Sequence, residues 1–152
     1  MAKVRQIFIS CENGGEILEQ SEVFALAGCG LVGDRNFVEQ AGNANKKAIT
    51  LQSSEAIQAC NEQLGTDFAV SAFRRNIITE GVELNELLGK KFYIGKVLLH
   101  AWELCQPCKY LQNLLGANVL AGLRDRGGLR AEILEGGVIT TGLPIVIAEQ
   151  GK

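Results

Sequence analysis

Short apolar runs closed by glycine recur along this chain from end to end, and they restrict it to a fold built of many small strands. Lys3 to Ser10 alternates Val4, Gln6 and Phe8 with Arg5, Ile7 and Ile9, and Asn13-Gly14-Gly15 then marks a turn. Glu16 to Ala27 resumes an extended pattern through Val23, Phe24 and Leu26 before Gly28, Gly30 and Gly33 interrupt it. Lys47 to Leu51 and Asn76 to Thr79 are further strand candidates, with the polar segment Asn36 to Lys47 expected as loop. Lys91 to Leu104 predicts paired strands, with Gly95-Lys96 as the hairpin turn between Phe92-Tyr93-Ile94 and Val97-Leu98-Leu99. Leu129 to Leu134 alternates apolar and charged residues as a half-buried strand does. Gly136-Gly137 predicts a turn, and Val138-Ile139-Thr140 and Ile145-Val146-Ile147 supply the last strands.

Helical signals are fewer. Ala56, Ile57, Cys60 and Leu64 fall at helical spacing, Ser53 or Ser54 can cap the start, and Gly65 can end it. Leu84 to Leu88 predicts one helical turn, Lys109 to Leu115 a helix, and Gly116 to Gly122 permits another short one. No repeat or domain boundary is visible, so residues 1–152 are expected to form a single domain. The pattern predicts a mainly β fold with helical insertions (α+β), β-barrel-like in outline.

Composition removes several functions. A formal net charge of −2 argues against general nucleic-acid binding, which requires a basic surface. No stretch approaches the roughly 20 apolar residues that span a membrane. Met1 to Gln6 leads straight into a strand pattern without the apolar core of a secretion signal. The cysteine count of 5 is odd, which disfavours a disulfide framework. These features predict a cytoplasmic protein in a reducing compartment, with a thiol available for chemistry.

Two of those cysteines lie in Glu103-Leu104-Cys105-Gln106-Pro107-Cys108-Lys109-Tyr110, just after Trp102. Pro107 suits the first position of the expected helix, where a missing N–H has no partner to lose. Cys108 then falls in the first turn, at the positive end of the helix dipole and beside Lys109, an environment that favours the thiolate. Both cysteines could equally be small apolar residues of the core. Zinc would need four ligands, and Cys11, Cys29, Cys60 and His100 form no second pair. A thioredoxin-like pair would need a βαβ context that the strand order does not supply. His100, within the apolar Val97 to Trp102, is expected to be a satisfied core or sheet-face residue rather than a catalyst, and Trp102 a packing residue or one beside the site.

Arginine forms two clusters: Arg74-Arg75 ahead of Asn76, and Arg124, Arg126 and Arg130 around Gly127-Gly128. A guanidinium beside a glycine-rich turn can hold phosphate or carboxylate with paired hydrogen bonds, whereas any one arginine alone is ordinary surface charge. Together, in a slightly acidic chain, the clusters point to an anionic ligand. Gly28 to Arg35 lacks both the dinucleotide spacing and the phosphate-loop lysine, so it predicts a tight turn, with Asp34 and Arg35 able to pair across it.

The succession of these motifs resembles the MOSC family, named after the C-terminal domain of molybdenum-cofactor sulfurase. The resemblance rests on Gly30-Leu31-Val32-Gly33-Asp34-Arg35, Ala48-Ile49-Thr50-Leu51 with Ser54-Glu55-Ala56-Ile57, and Arg74-Arg75-Asn76-Ile77-Ile78-Thr79-Glu80-Gly81. It continues through Leu84 to Gly89 with Ile94-Gly95, Pro107-Cys108, and Gly127-Gly128-Leu129-Arg130-Ala131-Glu132-Ile133 with Gly136-Gly137. It covers about residues 20 to 147. It implies a closed, mostly β barrel, with Cys108 as thiolate ligand to the molybdenum of molybdenum cofactor. Arg75, Asn76, Lys109 and Arg130 become candidates to hold the anionic cofactor, with Asp34 and Arg35 of the glycine loop beside them. Pyridoxal phosphate is not expected. Two positions depart from the family pattern: Asn36 stands where many relatives carry histidine, and Gly142-Leu143 replaces Gly-Asp.

Three functions follow as expectations. In the first, the protein binds molybdenum cofactor and reduces N-hydroxylated or similar substrates, with electrons from a separate electron-transfer protein. In the second it is a sulfur carrier, loaded as a Cys108 persulfide by a cysteine desulfurase, with Cys105 as resolving thiol. In the third it is an anion-binding module whose cysteines are structural.

Overall fold

The computed structural model describes residues 2–10, 16–34, 37, 48–105 and 128–148. The first strand, β1 (Lys3–Ile9), is not a plain alternation, because its pairing shifts register between Val4 and Gln6. That bulge lets Val4 and Ile7 both reach the main core while Phe8 enters a second cluster on the opposite face. The expected strand from 16 to 27 is two strands, β2 (Leu18–Gln20) and β3 (Glu22–Leu26), followed by the short β4 (Gly30–Leu31). β5 (Ile49–Ser53) runs past the predicted end at Leu51, because Gln52 and Ser53 pair with Ile78 and Thr79 of β6 (Ile77–Glu80).

Between β5 and β6 lies the helix α1 (Ser54–Leu64). Ser53 is its N-cap, with its hydroxyl accepting from the Ala56 N–H at 3.1 Å. Gly65 closes it in the left-handed conformation at φ 67°. Ile57 and Cys60 of α1 pack with Phe8, Phe73 and Ile78 in the second cluster. A 3-10 turn over Val70–Phe73 leads back toward β6, and another over Leu84–Leu87 occupies the predicted helical turn. β7 (Lys91–Ile94) and β8 (Val97–Leu104) form the expected hairpin. β9 (Leu129–Glu135), β10 (Gly137–Thr140) and β11 (Ile145–Ile147) complete the described strands.

These strands make two sheets, one ordered β11-β7-β8-β9-β5-β6-β1-β2 and the other β10-β3-β4. Among the described strands of the large sheet only β5 and β6 pair in parallel, as the helical crossover between them requires. The main core, including Ile49, Leu51, Phe92, Leu99, Leu129 and Ala131 of the large sheet, also takes in Val23, Ala25 and Ile139 of the small one. Gly136, between β9 and β10, is where the chain passes from one sheet to the other. A Cβ there would meet the Ala25 carbonyl oxygen.

The expectation of a closed barrel is therefore corrected: the fold is mainly β with one helix and open sheets among the described residues. The reason lies in how the edge of β1 is divided. Its C-terminal half pairs with β2, while its N-terminal half meets the start of β11 through a single Lys3–Pro144 bridge. Bonds from Val4 N–H to the Leu143 carbonyl (2.9 Å) and from Ile145 N–H to the Ala2 carbonyl (3.0 Å) support that bridge without extending it into a ladder. β3, β4 and β10 leave the ring of pairing altogether. No helix among the described residues is long and apolar enough to cross a membrane.

Candidate functional site

The Cys108 segment is rooted in adjacent strands. β8 and β9 pair as far as Leu104 opposite Leu129, and the Cys105 N–H then donates to the Gly128 carbonyl at 2.7 Å. Cys105 is buried, 1% exposed. Pro107, Cys108 and Lys109 lie outside the described residues, as do Arg124 and Arg126, the predicted helices at 109–115 and 116–122, and Arg35 and Asn36 of the earlier loop.

Gly128 is fixed by a close approach. Its φ is +107°, and a Cβ on it would collide with the Leu51 carbonyl oxygen. The same Cβ position is 3.6 Å from Arg75 Nε, which puts the Arg75 side chain against the root of the Cys108 segment. The turn that delivers Arg75 is unusual: Arg74 adopts φ 60°, in the left-handed region that a non-glycine residue seldom occupies. Its N–H closes the 3-10 turn onto the Ser71 carbonyl at 3.1 Å. A strained residue just before a candidate ligand-binding arginine fits a site whose backbone is held by its surroundings.

Those surroundings centre on Asn76, which is 5% exposed. Its Oδ1 accepts from the Thr50 N–H at 3.0 Å and the Thr50 hydroxyl at 3.1 Å. Its Nδ2 donates to the Phe8 carbonyl at 3.1 Å and to Asp34 Oδ1 at 3.3 Å. Every donor and acceptor position of the amide is engaged, so Asn76 ties β1, β5 and the glycine loop together and has no hydrogen bond left to offer a ligand. Asp34 is likewise buried, and its Oδ1 also accepts from the Ser10 N–H at 3.0 Å. Of the sequence-derived candidates, Asn76 and Asp34 form one buried network, with Arg75 beside it in the chain.

Arg130 stands opposite Thr50 on β9 and donates to Glu103 Oε1 at 3.0 Å. Glu103, in the very stretch that carries Cys108, was not anticipated as its partner. The cross-strand register brings them together, since Glu103 and Arg130 pair directly between β8 and β9. Farther along the same strands, His100 Nδ1 contacts Glu132 Oε1 at 3.0 Å, the satisfied sheet-face histidine expected from its setting. Among the described residues no three histidine, cysteine or acidic side chains gather to hold a metal.

A second feature was missed in the sequence. A cleft of about 200 Å³ opens between the start of α1 and the Leu84–Leu87 turn, lined by Gln52, Glu55, Glu83, Asn85 and Gly128 among others. Gln52 is 1% exposed, and its Nε2 has no hydrogen-bond partner. A buried unpaired donor costs about 1–3 kcal/mol. Glu55 accepts from the Gly81 N–H at 2.9 Å and from the hydroxyls of Ser53 and Ser54. Burial acts to raise the Glu55 pKa, but the hydrogen bonds from Gly81, from its own N–H and from the two serines outweigh it and leave the carboxyl below its ordinary value. The available signal was a polar Gln52 directly after Ile49-Thr50-Leu51 and just ahead of the helix-capping serines.

A family model described as MOSC domain matches residues 39–146. No curated protein matches the chain. Among solved structures, the chain is similar to the YUAD protein of Bacillus subtilis, with TM-score 0.83 and 17% identity over 98% of this chain and 97% of that one. YiiM of Geobacillus stearothermophilus aligns with TM-score 0.73 and 20% identity, over 99% of this chain and 77% of that one. YiiM of Escherichia coli aligns with TM-score 0.71 and 16% identity, over 99% and 71%. At such identities these likenesses concern the fold alone.

Proposed function

The chain belongs to the MOSC domain family, and from that premise we propose that it binds molybdenum cofactor through the Cys108 thiolate and reduces N-hydroxylated substrates. The family is linked to molybdenum-cofactor binding. The observation that carries the reading here is the placement of Arg75 against Gly128, where the Cys108 segment returns to the sheet. A thiolate is a soft ligand suited to a molybdenum–sulfur centre, and a guanidinium at its root suits the phosphate of a pterin cofactor. The cofactor, when bound, supplies the redox chemistry.

The protein's own groups bind and position. Arg75 is the anion-holding side chain, and Arg130 is a second one once its half-buried pairing with Glu103 exchanges for the cofactor. Asn76 and Asp34 act as positioning residues, holding the segment ahead of β6 from which Arg75 projects. In the reduction the substrate N–O bond breaks, the oxygen leaves as water with protons from solvent, and the electron pair comes from a separate electron-transfer protein. The burial of Cys105, with its N–H tied to Gly128, favours this reading over a sulfur carrier, because a resolving thiol must reach the persulfide. Protein purified from cells that make the cofactor is expected to contain molybdenum and pterin in equal amounts. Repeated absence of both, with cofactor supply verified, overturns the proposal.

A further inference from the structure

The small sheet carries apolar side chains on both of its faces. Val23, Ala25 and Ile139 are buried in the main core, while Glu22, Phe24 and Leu26 alternate with them along β3 and face outward. Val138 of β10 stands directly opposite Phe24, and the Val32 N–H donates to the Phe24 carbonyl from the other side at 2.9 Å. Phe24, Leu26, Val32 and Val138 are each 41–49% exposed. An antiparallel sheet with one wet face ordinarily alternates apolar and polar residues, and a strand apolar on both faces is usually covered on both. Together the four side chains expose roughly 300 Å² of apolar surface, the scale at which a patch is often an interaction site.

A second apolar surface lies on β11, at the edge of the large sheet, where Val146 is 55% and Ile147 48% exposed. The two surfaces differ in charge. Glu22 shares the outward face of the small sheet, and residues 16–34 hold Glu16, Glu19, Glu22 and the buried Asp34 without a lysine or arginine. β11 is itself uncharged and is bracketed by lysines. The Ala148 N–H donates to the Lys91 carbonyl at 3.0 Å, and the Gly95 N–H, beside Lys96, donates to the Pro144 carbonyl at 3.1 Å. Lys90, Lys91 and Lys96 are exposed, and no acidic residue falls between Leu87 and Leu98. Among the described residues, then, one apolar surface has a negative rim and the other a positive one. Each complements the other on a second copy, whereas two like surfaces set face to face would bring like charges together.

We propose that the chain associates head to tail with a second copy of itself, the outer face of β3 and β10 packing on Val146 and Ile147 of its neighbour. Glu22 then lies toward the neighbour's lysines. The patch is smaller than the about 800 Å² per partner of a standard complex, so the association is weak and grows with concentration. Each contact leaves one surface of either kind free, and growth continues unless a ring closes. The inference is independent of the molybdenum reading and uses none of its side chains.

The test is sedimentation equilibrium of the full chain under reducing conditions, run over a range of concentrations at low and high salt. The average mass is expected to rise with concentration, and to rise less at high salt, which screens the charged rims. Phe24→Asp and Val146→Asp each place a charge in one surface only, and each is expected to raise the dissociation constant about tenfold or more. Mixed in equal amounts, the two variants still offer one intact surface of each kind, so they are expected to form a dimer that grows no further. If Phe24→Asp fails to fold, Glu22→Lys, an exposed position, takes its place alone and is expected to weaken the association at low salt. A wild type that stays monomeric up to about 1 mM, the weak end of specific affinities, overturns the proposal. So does Val146→Asp, Phe24→Asp or its substitute associating like wild type, or a mixture of the two aspartate variants that stays monomeric.

Discussion

At the scale of single residues, Asn76 and Gly128 hold the candidate site in place. Asn76→Ala would leave the Thr50 N–H, the Phe8 carbonyl and Asp34 without their shared partner in a buried place. The expected loss is about 2–4 kcal/mol of stability, read from the urea midpoint at unchanged slope. A loss below about 0.5 kcal/mol, the range of ordinary surface substitutions, would mean that the network is not what fixes the segment carrying Arg75. Gly128→Ala forces a Cβ onto the Leu51 carbonyl, so it is expected to destabilise the fold and to separate β9 from β5 locally. Arg75 and Asn76 are not equally legible in the sequence. Arg75 was marked out by its arginine-rich, strand-leading setting. The family resemblance groups Asn76 with it as a ligand-binding residue, and its structural role stays hidden because its partners Thr50, Phe8 and Asp34 lie in three distant segments, none of them readable from its neighbours.

At the scale of elements, α1 was the most legible part of the chain because its signals are local. The capping serine, the apolar spacing and the terminal glycine all lie within the helix or beside it. Ser53→Ala should cost about 1 kcal/mol through the lost bond to the Ala56 N–H. Glu55 adds a pH-dependent contribution of known sign. Its folded pKa lies below the ordinary value, so the stabilisation is present above that value and disappears as the pH falls through the lowered one. The stability difference between wild type and Glu55→Gln should accordingly be constant at neutral pH and shrink on acidification. A difference that grows in acid would contradict the assignment. The strand boundaries were less legible. β5 extends to Ser53 through its pairing with β6, and the 16–27 stretch divides where β2 turns to β1 and β3 turns to β10. Gln52 went unnoticed for the same reason: its cleft exists only once Glu83, Asn85 and Gly128 are brought against α1.

At the scale of the whole molecule, a mainly β protein was evident from repeated strand and glycine patterns, but the partition into sheets was not. Local pattern reveals that a strand exists, whereas its partner is set by contacts between remote segments, such as Val138 with Phe24 and Lys3 with Pro144. The open arrangement has a measurable consequence. β8, β9 and β5 are paired on both sides in the large sheet, whereas β2, β4 and β11 lie at sheet edges. Hydrogen exchange should therefore be slowest in β8, β9 and β5 and fastest in the edge strands. Uniform protection across β11 and β2 would contradict the open sheets. The fold by itself does not determine function, which resides in the site built on it. The most direct test is molybdenum and pterin content measured side by side in wild type, Cys108→Ser and Cys105→Ala, all purified from cells that make the cofactor. The account predicts that Cys108→Ser loses the metal while folded Cys105→Ala retains it. Full molybdenum in Cys108→Ser would contradict the assignment of that thiolate as the ligand.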